Sequence, residues 1–274
     1  MSETFALGRG TSPLVISAPH VGLDLPAALR ARLSEAGRAL TDTDWYVDRL
    51  YSFAGRLGAS TLGARFSRYL VDLNRDPAGV SLYPGARTTG LCATETFEGQ
   101  PLYAPGDEPS ASEVAGRRTG YWEPYHEALR AELNRVRAKH GYALLLDAHS
   151  IWGRLPLLFE GNLPSVNFGT DSGRSCAPGL IAAAVEAVAA STYDHVVDGR
   201  FKGGYITRHY GEPEAGIHAL QIELDQRTYL ADGSRTAWDE TKAAALSHVL
   251  RHVCEALLAW GNPARGNDRV TRAV

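Results

Sequence analysis

The stretch Tyr142-Ala143-Leu144-Leu145-Leu146-Asp147-Ala148-His149-Ser150 decides the architecture. It follows Ser112–Lys139, a segment of helical periodicity that closes at His140-Gly141, a normal helix exit. A short apolar run so bounded reads as a buried strand, here Tyr142–Leu146. That strand delivers an acid and a histidine at its C-terminal end, where open α/β sheets place their ligands.

Working outward, the same pattern recurs. Pro13–Ala18 is a buried strand ending at Pro19-His20, and Tyr69–Leu73 is another, ending at Asn74-Arg75-Asp76-Pro77. Ala219–Leu224 is a fourth, with shorter strands expected at Leu155–Phe159, Val166–Gly169 and His195–Val197. Between them lie helical segments: Leu25–Leu33 with Pro26 at its start, Asp44–Leu57, Cys176–Ala190 and Ser234–Trp260. Asp42 or Asp44 can cap the second of these. Alternating strands and helices predict an α/β fold with a mostly parallel central sheet. Without a repeat or a Pro/Ser linker, residues 1–274 read as one domain, with a loose tail from Asn262. Ala78–Pro109, rich in Gly, Pro and Thr, is long enough to expect a functional loop.

Composition narrows the function. The chain has 274 residues, 44% hydrophobic, with 28 basic against 31 acidic side chains, so a duplex nucleic-acid binder is not expected. Lys139, Lys202 and Lys242 are its lysines; the other basic residues are arginines, which suit carboxylate recognition wherever they are functional. Cys92, Cys176 and Cys254 lie far apart and suggest neither a disulfide framework nor a cysteine metal site, which fits a reducing cytoplasm. No secretory signal and no apolar run of membrane-spanning length is visible. Phosphate-binding glycine motifs, GxSxG and HExxH are absent, so Ser150 is a poor nucleophile candidate.

Strand ends carry the remaining candidates: His20, Asn74-Arg75, Asp147/His149 and Glu223. Two histidines after separate strands, completed by a carboxylate, form a set suited to a catalytic metal. Such a set suits zinc, but cobalt, manganese and iron accept it too. His126, His140, His195, His248 and His252 sit in or beside helices and read as ordinary polar residues. Glu223, flanked by Ile222 and Leu224, points away from both, and a charge in an apolar strand is costly unless paired or functional.

Seven motifs together resemble the N-formylglutamate amidohydrolases: SAPHVG (Ser17–Gly22), DTDWYVDRLY (Asp42–Tyr51), SRYLVDLNRDP (Ser67–Pro77), TFEGQPLY (Thr96–Tyr103), YWEPYH (Tyr121–His126), LLLDAHSI (Leu144–Ile151) and GRFKGGYITRHYG (Gly199–Gly211). The likeness runs from about Pro13 to Trp260. It implies a three-layer, phosphorylase/hydrolase-like fold of the zinc carboxypeptidase-like kind, with a mixed, mostly parallel sheet. It also implies one divalent metal, zinc foremost, and cleavage of N-formyl-L-glutamate in histidine breakdown. The ligands it implies are His20, His149 and an acid, with Asp44 preferred and Asp42 and Asp24 open; Asp147 or Asp42 would orient a ligand histidine. Glu223 matches the general base, then acid, of that chemistry. Arg75 with Asn74 would bind a substrate carboxylate, and Arg68, Lys202 and Arg208 are candidates for a second carboxylate or the developing oxyanion. Gly203-Gly204 would let the backbone approach the ligand. Alternatives are another N-acyl-glutamate or N-acyl-aspartate as substrate, or a non-catalytic dicarboxylate binder. The partner expected is a small anionic substrate; oligomeric state is not legible.

Overall fold

The structure, a computed structural model, describes residues 4–81 and 88–261. The expected loose tail from Asn262 lies outside these residues, as does part of the Ala78–Pro109 loop. Among these residues seven strands form one sheet: β1 (Phe5–Gly8), β2 (Leu14–Ala18), β3 (Ser60–Ala64), β4 (Ala143–Ile151), β5 (Val166–Gly169), β6 (His195–Val197) and β7 (Ile217–Asp225). Their order is β1-β3-β2-β4-β7-β5-β6. The sheet is mixed and mostly parallel: β1–β3 and β5–β7 are the antiparallel pairs. Among the described residues eight α-helices accompany it: α1 (Ala27–Arg32), α2 (Glu35–Arg38), α3 (Val47–Leu50), α4 (Ala111–Arg117), α5 (Glu123–His140), α6 (Pro178–Ala189), α7 (Tyr205–Tyr210) and α8 (Glu240–Trp260).

Period-2 alternation divides the core in two. Leu14, Ile16, Leu144, Leu146, Leu220 and Ile222 pack on one face with Leu246, Leu250 and Val253 of α8 and Leu180 and Ala184 of α6. Val15, Leu145 and Ala219 pack on the other with Tyr125, Leu129, Leu133 and Val136 of α5. Both faces of β4 are therefore covered, and all nine of its residues are buried. This is why its sequence reads as a continuous apolar run. Gly141 closes α5 with φ 82°, and Asp239 caps α8 by accepting from Lys242 N.

Five expectations are corrected. The strand at Tyr142–Leu146 runs on to Ile151, because β7 pairs with it in register as far as Asp225. Asp44–Leu57 is not one helix: Tyr46 adopts φ 59°, leaving only the single turn of α3 and a 3-10 turn at Ala54–Leu57. Neither Asp42 nor Asp44 caps it, since Asp42 accepts from Phe97 N and Asp44 from Ser150 N. Tyr69–Leu73 is buried but is not a strand. Its backbone is satisfied individually: Asp72 N donates to Leu91 O, Arg117 Nη1 to Leu70 O and His126 Nε2 to Leu73 O. Leu155–Phe159 forms a turn, with Phe159 N donating to Leu155 O. Sequence reading passes over two strands, β1 and β3; the Ser-Thr-Leu-Gly-Ala of β3 lacks an apolar run.

Candidate metal centre and cavity

The polar centre grows out of the α5 face of the sheet. Along β4 the residues of that face are Leu145, then Asp147, then His149; along β7 they are Ala219, Gln221 and Glu223. The register sets Asp147 opposite Gln221 and His149 opposite Glu223. The face that is apolar beneath α5 thus becomes polar at the strands' C-terminal ends. Because β4 continues, Asp147 and His149 share that face, and Asp147 Oδ1 lies 3.0 Å from His149 Nε2.

His20 enters from the end of β2. Its Nε2 donates to Asp72 Oδ1 at 2.7 Å, which leaves Nδ1 pointing inward, 3.7 Å from Asp44 Oδ2. The Nδ1 of His149 lies 3.0 Å from the same oxygen. Asp44 is held there by its backbone, whose N–H donates to His20 O. One ligand atom from each of His20, Asp44 and His149 falls within 4.8 Å of the other two, and all three residues are buried. Among the described residues this is the one such group of three. Buried His20 Nδ1 has no hydrogen-bond partner. Two imidazoles turned by carboxylates so that their other nitrogens converge on a third carboxylate fit a divalent cation.

Charge is tightly balanced. Burial works to raise the Asp44 pKa, but the hydrogen bond from His149 and the charge of the two imidazoles hold it well below the usual range. Burial disfavours charge on His149, yet Asp147 and Asp44 hold its pKa well above the ordinary imidazole value. Asp72 is likewise held low against burial by Arg75, Arg68 and His20. Glu223 differs: burial pushes it up to about 8, against the pull of His149. Its Oε2 accepts from Gln221 Nε2, and Gln221 Oε1 accepts from Gly204 N.

Asn74 ties two segments to this centre. Its Nδ2 lies 2.9 Å from His149 Nε2 and donates to Asp147 Oδ2, while its Oδ1 accepts from Ile206 N at the start of α7. A Cβ on Gly204 would come within 2.3 Å of Asn74 Nδ2. The close approach made possible by this glycine is thus to Asn74.

A cavity of about 230 Å³ opens onto the centre and is lined by His20, His149 and Glu223. Arg68, Asn74 and Arg75 also line it. Arg68 Nη2 donates to Asp72 at 2.7 Å, and its guanidinium lies 4.8 Å from the centre of the Phe97 ring. Arg75 is braced by Thr89, through O and Oγ1. Lys202 is exposed, and Arg208 donates to Gly203 O; neither lines the cavity. Asp24 stands apart, paired with Arg65. Asp72 and Arg200 belong to the centre and the cavity wall respectively, and sequence reading singled out neither. An acid within the apolar run YLVDL was the signal for Asp72.

Whole-chain comparisons identify the family. The family model described as N-formylglutamate amidohydrolase matches residues 12–230. An N-formylglutamate deformylase of Pseudomonas aeruginosa is 52% identical over 263 residues, covering 95% of this chain and 98% of that protein. Its namesake from Pseudomonas putida is 47% identical with the same coverage. The crystal structure of N-formylglutamate amidohydrolase from Ralstonia eutropha JMP134 superposes with a TM-score of 0.77 at 27% identity, covering 96% of this chain and 98% of that one. A protein from Agrobacterium tumefaciens, 16% identical, shares the fold with a TM-score of 0.72 over 95% of this chain and 97% of its own. The chain belongs to the N-formylglutamate amidohydrolase family, and it is an amide-hydrolysing enzyme.

Proposed function

We propose that the protein hydrolyses N-formyl-L-glutamate to formate and L-glutamate in a single catalytic domain, within the breakdown of histidine in the cytoplasm. The metal site of this reading is His20, Asp44 and His149, with zinc as the first candidate and cobalt, manganese or iron as alternatives. A divalent ion there would polarise the formyl carbonyl and make water a better nucleophile. The observation that carries the reading is the placement of Glu223: it faces the same cavity as His20 and His149, directly across the β4–β7 ladder from His149.

Each residue then has a task. Glu223, in its ionised form, takes a proton from the attacking water. The water oxygen bonds to the formyl carbon, and Glu223 returns the proton to the leaving nitrogen as the C–N bond breaks. Arg68, fixed by Asp72 at the cavity wall, stabilises the oxyanion. Arg75, beside Asn74, takes the α-carboxylate, which sits one carbon from the scissile nitrogen. Asp72 and Asp147 are positioning residues that turn the two imidazoles.

The test is formate release from N-formyl-L-glutamate with and without chelator. Release that chelator abolishes and added zinc, cobalt, manganese or iron restores is the expected result. Intact substrate with metal-replete protein overturns the substrate. Undiminished release in chelator overturns the metal.

A further inference from the structure

The substrate read above carries two carboxylates, and Arg75 accounts for one. We propose that Arg200 binds the distal carboxylate and so sets the preference for an acidic side chain. The inference rests on the N-acyl-glutamate reading of the site and goes beyond it in assigning the specificity residue.

A carboxylate drawn into a half-enclosed cavity loses hydration and needs its own cation. Among the described residues three guanidinium groups line the cavity: Arg68, Arg75 and Arg200. Arg68 is committed to the centre, through Asp72 at 2.7 Å and the Asp42 carbonyl. Arg75 adjoins Asn74, whose amide touches His149, so it serves the carboxylate next to the scissile bond. Arg200 comes from a different segment, between β6 and α7, and stands in different company.

An apolar cluster stands beside it. Phe97, Ile151, Leu155 and Leu163 form a small buried cluster, against which Leu158 and Phe201 pack. Phe97, Ile151, Leu158 and Phe201 also line the cavity. Arg200 is fixed at this wall: its Nε donates to Leu158 O at 2.8 Å, and its guanidinium lies 5.2 Å from the centre of the Phe201 ring. An apolar wall ending in an oriented guanidinium matches a two-methylene chain ending in a carboxylate. Planar guanidinium also suits carboxylate better than the point charge of a lysine.

The experiment compares kcat/KM for N-formyl-L-glutamate and for N-formyl-L-glutamine, its neutral isostere. The proteins are the metal-replete wild type, Arg200→Gln, Arg200→Lys and, as a control at an exposed cation outside the cavity, Lys139→Gln. Wild type is expected to prefer glutamate. Arg200→Gln should lower kcat/KM for glutamate by roughly 10- to 100-fold, mainly through KM, and leave the glutamine substrate nearly unchanged. Arg200→Lys should recover part of the loss, and Lys139→Gln should keep the wild-type ratio. Equal losses on both substrates, or an unchanged ratio, overturn the assignment of Arg200 and leave the substrate reading intact. A wild type that cuts neither substrate overturns the substrate reading, and the assignment falls with it.

Discussion

The two halves of the centre are built differently. His149 and Glu223 stand on adjacent strands, β4 and β7, in a regular parallel ladder. Their positions follow from period-2 alternation and register alone. His20, Asp44, Asp72 and Asn74 stand on irregular backbone. His20 finds its carboxylate 52 residues away, whereas His149 finds its own two residues back on the same strand. A strand holds a polar group in place through the sheet, while a buried irregular segment must hold it through individual hydrogen bonds. Asp72 shows the second case: its carboxylate takes His20 Nε2, Arg68 Nη2 and Asn74 N together. The strand half is therefore expected to tolerate loss of one bond with its shape intact. The loop half is expected to transmit such a loss to several residues.

The largest effect tests the strand half. Glu223→Gln keeps size and strand pairing but cannot accept a proton. It should lower kcat by about 10²- to 10⁴-fold, with metal content by elemental analysis unchanged. Substantial retained activity would remove Glu223 from the chemistry.

The next pair sets one half against the other. Asp147→Asn and Asp72→Asn each weaken the carboxylate behind one histidine. Either should loosen metal binding by about 10- to 100-fold, measured by competition with a chromophoric chelator. The halves should then part company. Asp72→Asn should also raise KM, because Arg68 pairs with Asp72 and Arg75 Nε lies 3.8 Å from it. Asp147→Asn should leave KM close to wild type, since Asn74 and Thr207 are its other partners. Equal KM effects would mean that the two carboxylates do the same work.

The same contrast explains how far the chain could be read. β4 and β7 were legible because burial on both faces makes their sequences continuously apolar, so that Asp147, His149 and Glu223 stand out. YLVDL shows the same apolar pattern and reads as a strand, yet its partners are side chains of Arg117 and His126 and the Leu91 carbonyl. Periodicity cannot distinguish the two, because both are buried. Asp72 and Arg200 depend on contacts between distant segments, which no local spacing encodes. Asp44 was reached by resemblance and not by periodicity, which assigned it to a helix cap.

A smaller effect concerns pH in the chelator-treated protein. Glu223 has its carboxyl pKa raised from 4.5 to about 8 by burial. The folded state therefore holds a proton that the unfolded state has released across this window. Stability from this group is full below about 4.5 and falls as pH rises towards about 8. Urea denaturation of wild type and Glu223→Gln at pH 5 and pH 8 isolates it. Wild type should lose more stability than the variant between the two pH values. An equal loss would place the titration elsewhere.

The smallest effect separates two acids that stand two residues apart. Asp42 and Asp44 were equal candidates for a helix cap and rivals as the metal ligand, yet they face different surroundings. Asp44 Oδ2 lies between two imidazoles. The Asp42 carboxylate accepts from Phe97 N, and burial pushes its pKa up. An asparagine at position 42 can still accept from that N–H through its own oxygen, and no longer loses hydration of a charge. Asp42→Asn should thus change stability by less than about 1 kcal/mol and leave metal affinity alone. Asp44→Asn should weaken metal binding by at least as much as either positioning variant, because it removes an anionic ligand. If instead Asp42→Asn released the metal and Asp44→Asn did not, the ligand would be Asp42, and the Phe97 N–H bond would have to open to free it.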